Sequence, residues 1–192
     1  MIFAAGAAAG FWGRGVYDTL TAPAPPAVGD HFRAAVTGVY DADTMTVRRS
    51  GDDNYKIRVW GIDAPERSQR CTRGTQTVTC GLMARDAFRK LVLGRDVSCE
   101  IKAIDKNYGR LVAQCLIDGK DPVETLVQNG WALSDTQYSN DPYAAQQAAA
   151  QRSKNGIWGM DFLPPREWRA CKSYGRGGAT APAVCRKPLG PL

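Results

Sequence analysis

The sequence predicts an α+β domain, a five-stranded β-barrel with about three packed helices, and three observations lead there. Five runs rich in β-branched and aromatic residues, at 32–40, 44–49, 55–62, 96–104 and 110–117, are bounded by Gly, Asp and Asn. One amphipathic segment, 81–93, falls between the third and fourth run, and two further helical segments follow the fifth. The chain of 192 residues has the length of one domain with room for a real core.

Taken in order, residues 2–12 form an apolar run rich in Ala and Gly. It is shorter than the about 20 residues a membrane span needs, and no Lys or Arg precedes it. It reads as the remnant of an export signal or anchor whose start lies upstream, or as a weak uncleaved anchor. Residues 21–28 read as a semi-rigid Pro/Ala linker. Residues 1–30 therefore precede the domain, which spans 31–170, and 171–192 form a tail. Ser50-Gly-Asp-Asp-Asn54 is a turn between the second and third strands. In the helix at 81–93, Leu82, Met83, Ala87, Phe88, Leu91 and Val92 form an apolar stripe opposite Arg85, Asp86, Arg89 and Lys90, and Gly94 stops it. The last two strands form a hairpin through Asp105-Lys-Asn-Tyr-Gly109. A short helix follows, with Asp121 as N-cap, Pro122 in its first turn and Gly130 after its end. A helix rich in Ala and Gln then runs over 141–156. Residues 157–169, rich in Trp and Pro, read as packing on the domain without forming an element. Those after Tyr174 read as loose, apart from a loop between Cys171 and Cys185. Three strands, a helix, two strands and further helices is the plan of an OB-fold barrel. Periodicity alone does not separate it from other small α+β folds.

The net charge of +6 and pI near 9.1 point to an anionic partner, nucleic acid before an anionic membrane surface. The six cysteines contain no C-x-x-C pair and the single histidine is His31, which argues against structural zinc. An even set of cysteines separated by modest loops reads as disulfides in an oxidising compartment, so the protein is expected to be exported: periplasmic, secreted or anchored. Of the possible pairings the local one is preferred: Cys71 with Cys80, Cys99 with Cys115, Cys171 with Cys185. Cys99 and Cys115 fall opposite each other if the chain turns near Asn107.

Residues 39–66 carry the chemistry. Asp41-Ala-Asp43-Thr44 stands just before one strand, and Arg58-Val-Trp-Gly-Ile-Asp63-Ala64-Pro65-Glu66 closes the next. Gathered carboxylates repel one another unless a cation sits among them, and an arginine beside a hard cation suits a phosphate ester. Asp43 and Asp63 would each give an oxygen to Ca²⁺, or less readily to Mg²⁺, with the carbonyl of Ala64 as a backbone ligand. Glu66 would orient or deprotonate a water. Arg58 and Arg110 would neutralise charge developing on phosphorus. Taken singly, each is also an ordinary turn or strand residue; the combination carries the weight. With one histidine, two-histidine nuclease chemistry has no materials. Gly175-Arg-Gly-Gly178 lacks the strand–loop–helix setting of an NTPase, and no Gly-x-Ser-x-Gly occurs.

Asp41-x-Asp43-Thr44, Arg58-x4-Asp63-Ala-Pro-Glu66 and Tyr108-Gly-Arg110, followed by Gly130-Trp-Ala and Gly156-Ile-Trp158, resemble the staphylococcal nuclease (thermonuclease) family over about residues 32–158. The resemblance implies an OB-fold and calcium-dependent hydrolysis of DNA and RNA at the 5′ side of the phosphodiester, leaving 3′-phosphates. With no coiled coil or broad apolar patch evident, a monomer with no obligate protein partner is expected. Single-stranded or frayed substrate is expected. By matching position, Asp43, Asp63 and Ala64 take the metal places, Arg58, Glu66 and Arg110 the catalytic ones, and Tyr138 one nucleotide-flanking place; Lys106 and Tyr108 are further substrate-binding candidates. Departures are Ala64 where the family has Thr, Thr136 in place of one nucleotide-flanking tyrosine, and Asp135 beside it. The Lys106-Asn107 turn is one residue longer, and an inserted stretch at 68–80 borders the site, where Arg67, Arg70 and Arg73 add positive charge. A non-catalytic nucleic-acid-binding module and an envelope protein–protein adaptor are the alternatives.

Overall fold

The computed structural model describes residues 26–49, 54–136, 140–177 and 185. The apolar N-terminal run, most of the Pro/Ala linker, Ser50–Asp53 of the first turn, Tyr138 and most of the tail lie outside the described residues. The elements in chain order are β1 (His31–Val39), β2 (Thr44–Arg48), β3 (Asn54–Val59), β4 (Ile62–Asp63), β5 (Cys71–Arg73) and β6 (Gln76–Val78). Then come α1 (Cys80–Val92), β7 (Asp96–Asp105), β8 (Arg110–Leu116), α2 (Pro122–Gln128), β9 (Leu133–Ser134), α3 (Ala144–Arg152) and α4 (Pro165–Gly177), with a 3₁₀ turn at Gly156–Gly159 before α4.

Five strands close the expected barrel in the order β1-β2-β3-β8-β7. All neighbours are antiparallel except β3 and β8, which pair in parallel with Arg58 opposite Val112. Inward residues such as Val36, Met45, Val47, Ile57 and Ile101 alternate with exposed ones and fill the barrel. On α1 the buried stripe is Ala84, Phe88 and Val92, with Met83, Ala87 and Leu91 at its margins. Burying Phe88 and Val92 contributes about 1.5–3 kcal/mol each.

The structure departs from the sequence reading in three places. The third strand does not run on to Ile62: it ends at Val59, and Gly61 turns the chain with φ +81°. A Cβ at Gly61 would press on Pro142 and the Tyr143 ring, so only glycine fits there. Ile62 and Asp63 then pair with Leu133 and Ser134 in a separate small sheet. The Ala/Gln helix is shorter than expected, because Asn140 and Asp141 take positive φ and Asp141 precedes a proline, which disfavours helical backbone. Residues 165–177, read as containing no element, form α4. Pro165 sits in its first turn and Glu167 favours the positive end of its dipole.

All three local disulfides form: Cys71–Cys80, Cys99–Cys115 and Cys171–Cys185. The first closes the β5–β6 hairpin and anchors a second apolar cluster with Ile157 and Met160. Asp121 caps α2 as expected, accepting from the Val123 N–H at 2.8 Å. Its other oxygen accepts from the Tyr143 hydroxyl at 2.7 Å and from Gln114 at 3.1 Å, joining α2 to the base of α3 and to β8.

Candidate active site

The end of the barrel where β2, β3 and β8 meet carries a continuous chain of polar contacts. Arg110, the first residue of β8, donates from Nε and Nη2 to Asp105 at 3.3 and 2.7 Å. Its Nη1 donates to Thr44 Oγ1 at 3.2 Å. Thr44 passes its own hydroxyl hydrogen to Asp43 Oδ1 at 3.0 Å. Asp43 Oδ2 accepts from Arg58 Nη1, also at 3.0 Å, and Arg58 Nη2 lies 3.8 Å from Asp63 Oδ1. Beyond Asp63 the chain continues through a residue the sequence reading missed. Arg169 of α4 donates from its single Nη1 to Asp63 Oδ1 at 2.8 Å and to Glu66 Oε1 at 2.9 Å.

The site thus brings together Asp43, Arg58, Asp63, Glu66 and Arg110, and Ala64 lies buried between Asp63 and Glu66. Its local geometry follows from the backbone. Asp43 and Thr44 close the β1–β2 turn, and the Asp43 carbonyl accepts from the Val59 N–H. Parallel pairing puts Arg58 and Arg110 on the same face of adjacent strands, two positions apart in register. Glu66 is fixed by fully buried Gln69, which accepts from the Glu66 N–H at 3.2 Å and donates its own N–H to the Glu66 carbonyl at 2.7 Å. Gly81 at the start of α1 packs so closely there that a Cβ would overlap that carbonyl oxygen.

Electrostatics mark this as a place with crowded negative charge. Burial, and then the charge of Asp43, pushes the Asp41 carboxyl up to about 7. Burial likewise pushes the Asp63 carboxyl up, against the pull of Arg169. Burial opposes the charge of Arg58 and of Arg169, yet the carboxylates outweigh it and raise both guanidinium pKa values. Among the described residues, no three His, Cys, Asp or Glu side chains converge into a ready-made metal cage. The donor chemistry nonetheless suits one hard cation: two aspartates sharing one arginine, with a backbone carbonyl next in sequence to Asp63.

The residues expected to meet substrate are less uniform. Tyr108 is 73 % exposed on the β7–β8 turn, with the Arg110 guanidinium over its ring at 4.9 Å. Lys106 is exposed on the same turn and points to no partner among the contacts of the site. Tyr138 lies outside the described residues. Asp135 adds negative charge within reach of Arg58, as expected. Arg67, Arg70 and Arg73 are exposed on the inserted stretch. Arg67 sits over the exposed Tyr40 ring at 5.7 Å. A cleft of about 420 Å³ opens beside Glu66, lined among others by Tyr40, Arg67, Ser68, Trp168 and Lys172. Arg169, Trp168 and Lys172 escaped the sequence reading because they stand on α4, whose signals were a proline pair at 164–165 followed by Glu167.

Comparison with known proteins gives this geometry its context. The model of the family described as "Staphylococcal nuclease homologue" matches residues 56–160. An "Uncharacterized endonuclease" of Haemophilus influenzae is 30% identical over 136 residues, covering 70% of this chain and 71% of that protein. "Probable staphylococcal-like nuclease CAN1" of Oryza sativa subsp. japonica is 32% identical over 63% of this chain. "Endonuclease YhcR" of Bacillus subtilis is 29% identical over 81% of it. The chain covers only 34% and 14% of the length of the last two. A closed five-stranded barrel, the motif order along β2, β3 and β8, and a family match over more than half of its length together establish that the chain belongs to the staphylococcal nuclease homologue family.

Proposed function

We propose that this protein is an exported, Ca²⁺-dependent nuclease that hydrolyses phosphodiester bonds of DNA and RNA, preferring single-stranded or frayed substrate. The observation that carries this reading is the unbroken contact chain from Arg110 through Thr44, Asp43, Arg58, Asp63 and Arg169 to Glu66. It supports a reading in which carboxylates hold a cation, guanidinium groups meet a phosphate and a separate carboxylate serves a water within one site.

The family is metal-dependent in general. Asp43, Asp63 and the carbonyl of Ala64 would hold the ion, which when bound polarises a phosphoryl oxygen. Glu66 accepts a proton from the attacking water, and it reaches into the site on a stretch held by Gln69. Arg58 and Arg110 stabilise the charge that builds on the equatorial oxygens as the water oxygen bonds to phosphorus and the 5′ oxygen leaves. Arg110 spends Nε, one Nη1 and one Nη2 hydrogen on Asp105 and Thr44, so it approaches a phosphate with its remaining N–H groups already oriented. Both guanidinium groups act electrostatically; the leaving oxygen takes its proton from water. Tyr108 offers a ring face for a base, and Lys106 a charge for the backbone.

Three disulfides and no free cysteine among the described residues support an oxidising compartment. No described helix is long and apolar enough to cross a membrane. Among the described residues the exposed large hydrophobics are Val28, Tyr40, Ile104 and Tyr108, and a monomer is part of this proposal.

The test is incubation of the full chain with a single-stranded oligonucleotide in millimolar Ca²⁺, in Mg²⁺ and in EDTA, with Glu66→Gln alongside. Cleavage is expected in Ca²⁺, with loss in EDTA and in the variant. A folded wild type that binds the oligonucleotide but never cuts it would leave a binding module, and one that ignores it would leave an adaptor.

A further inference from the structure

The family match ends at residue 160, yet the chain continues onto the site. Thr72 and Asp161 exchange backbone hydrogen bonds at 2.9 and 2.8 Å. Buried Gln69 donates its side-chain N–H to the Leu163 carbonyl at 2.7 Å while its oxygen holds the Glu66 N–H. Lys172 reaches Ser68 at 3.3 Å, and Arg169 reaches Asp63 and Glu66. Cys171 ties α4 to Cys185. Both the backbone and the carboxylate of Glu66 are therefore fastened to this extension, one through Gln69 and Leu163, the other through Arg169.

We propose that residues 161–177 complete the active site, and that Arg169 is a positioning residue that sets the Glu66 carboxylate relative to Asp63. This rests on the nuclease reading for what Glu66 does. Glu is a long side chain with several rotatable bonds, and an untethered one spends most of its time away from any single pose. One amino group of Arg169 meets one oxygen of each carboxylate, so it fixes the interval between them. The second oxygen of each group stays available to water or a cation. The pairing is partly buried, where a guanidinium–carboxylate bond is stronger and more directional than at the open surface. Arg169 touches no substrate in this role; it acts through Glu66 and Asp63.

The test uses full-length Arg169→Met, which keeps the bulk, and Arg169→Lys, which keeps the charge. For Arg169→Met, kcat on a single-stranded oligonucleotide in Ca²⁺ is expected to fall about 10–100-fold, as for other residues that orient site ligands. KM should stay within about twofold, and Arg169→Lys should recover part of kcat. In parallel, denaturation in EDTA of wild type, Arg169→Met, Glu66→Gln and the double variant should show non-additive losses. Unchanged or faster cleavage by Arg169→Met would overturn the proposal and mark Arg169 as a bystander or a plug. A rise in KM alone would overturn it in favour of a substrate-phosphate ligand. Additive losses would show that Arg169 does not hold Glu66. If Arg169→Met fails to fold, the kcat and KM of Arg169→Lys decide. A wild type that never cleaves would sink the nuclease reading, while the stability cycle would still decide whether Arg169 fixes Glu66.

Discussion

Arg58→Met removes the guanidinium that Asp43 and Asp63 share, and its cost follows from the burial of the three groups. The side chain of Arg58 is 22% exposed, that of Asp43 6% and that of Asp63 15%. Deleting one partner of a buried pair costs about 3–5 kcal/mol, because the other charge is left uncompensated. Partial exposure of Arg58 and the second partner that Arg169 gives Asp63 reduce this to about 2–3 kcal/mol. In a domain of this size that lowers Tm by roughly 4–12 °C. The loss is expected in EDTA. In Ca²⁺ it should shrink, because the vacated carboxylates attract a dication more strongly once a positive neighbour is gone. Tenfold tighter ion binding would restore about 1.4 kcal/mol at saturating Ca²⁺. The assay is urea denaturation followed by tryptophan fluorescence, for both proteins, with EDTA and with Ca²⁺. The reasoning fails if Arg58→Met matches wild type in EDTA, or if Ca²⁺ stabilises both proteins equally. The first result would mean the carboxylates are not short of positive charge; the second, that the cation binds elsewhere.

Further outcomes follow from other contacts. Asp121→Ala strips the α2 cap and leaves the Tyr143 hydroxyl unpaired in a buried place, and should cost about 2–3 kcal/mol by denaturant melting. Gly81→Ala should destabilise the fold and depress cleavage together, since the new methyl displaces the Glu66 carbonyl; a fully active, equally stable variant would contradict the packing described. Tyr108→Ala should weaken oligonucleotide binding by about tenfold in fluorescence anisotropy, the value of one lost base stack, with Tm unchanged. Although burial pushes Asp105 up, its bonds to Arg110 hold its carboxyl below the usual range. Its contribution is then present in full above about pH 4, the ordinary carboxyl range, and is lost as pH falls through the depressed value. The stability gap between wild type and Asp105→Asn should accordingly close on acidification, and a gap that widens would reverse the assignment.

The barrel was legible because half-buried strands must alternate, and five of them do. The cluster of Asp43, Arg58, Asp63 and Glu66 was legible because these residues lie within one short stretch whose turns fix their spacing. What escaped needed the third dimension. The break at Gly61 depends on the Tyr143 ring packed against it, a contact no local pattern encodes. Asp63 therefore stands on β4 rather than at the end of a barrel strand. Arg169 meets Asp63 across 106 positions of sequence, so nothing near either residue announces the pair. Helix α4 itself carried modest signals, a proline start and an early glutamate, overshadowed by its Trp- and Pro-rich approach.

The parallel seam between β3 and β8 has a consequence for how such a protein can diversify. Arg58 and Arg110 are spaced by sheet geometry, about 8 Å between their backbones given one strand step across and two residues along. The β7–β8 turn plays no part in that spacing. Arg110 is bonded to Thr44 outside this turn, and a register shift between Ile101 and Ala103 lies within β7. The tip of the loop at Lys106 and Asn107 can therefore change while the backbones of Arg58 and Arg110 stay in place, whereas Asp105 and Tyr108 touch the Arg110 guanidinium itself. Under the roles proposed above, the charge that Lys106 offers a nucleic-acid backbone can then be retuned without moving the strands that carry the two arginines.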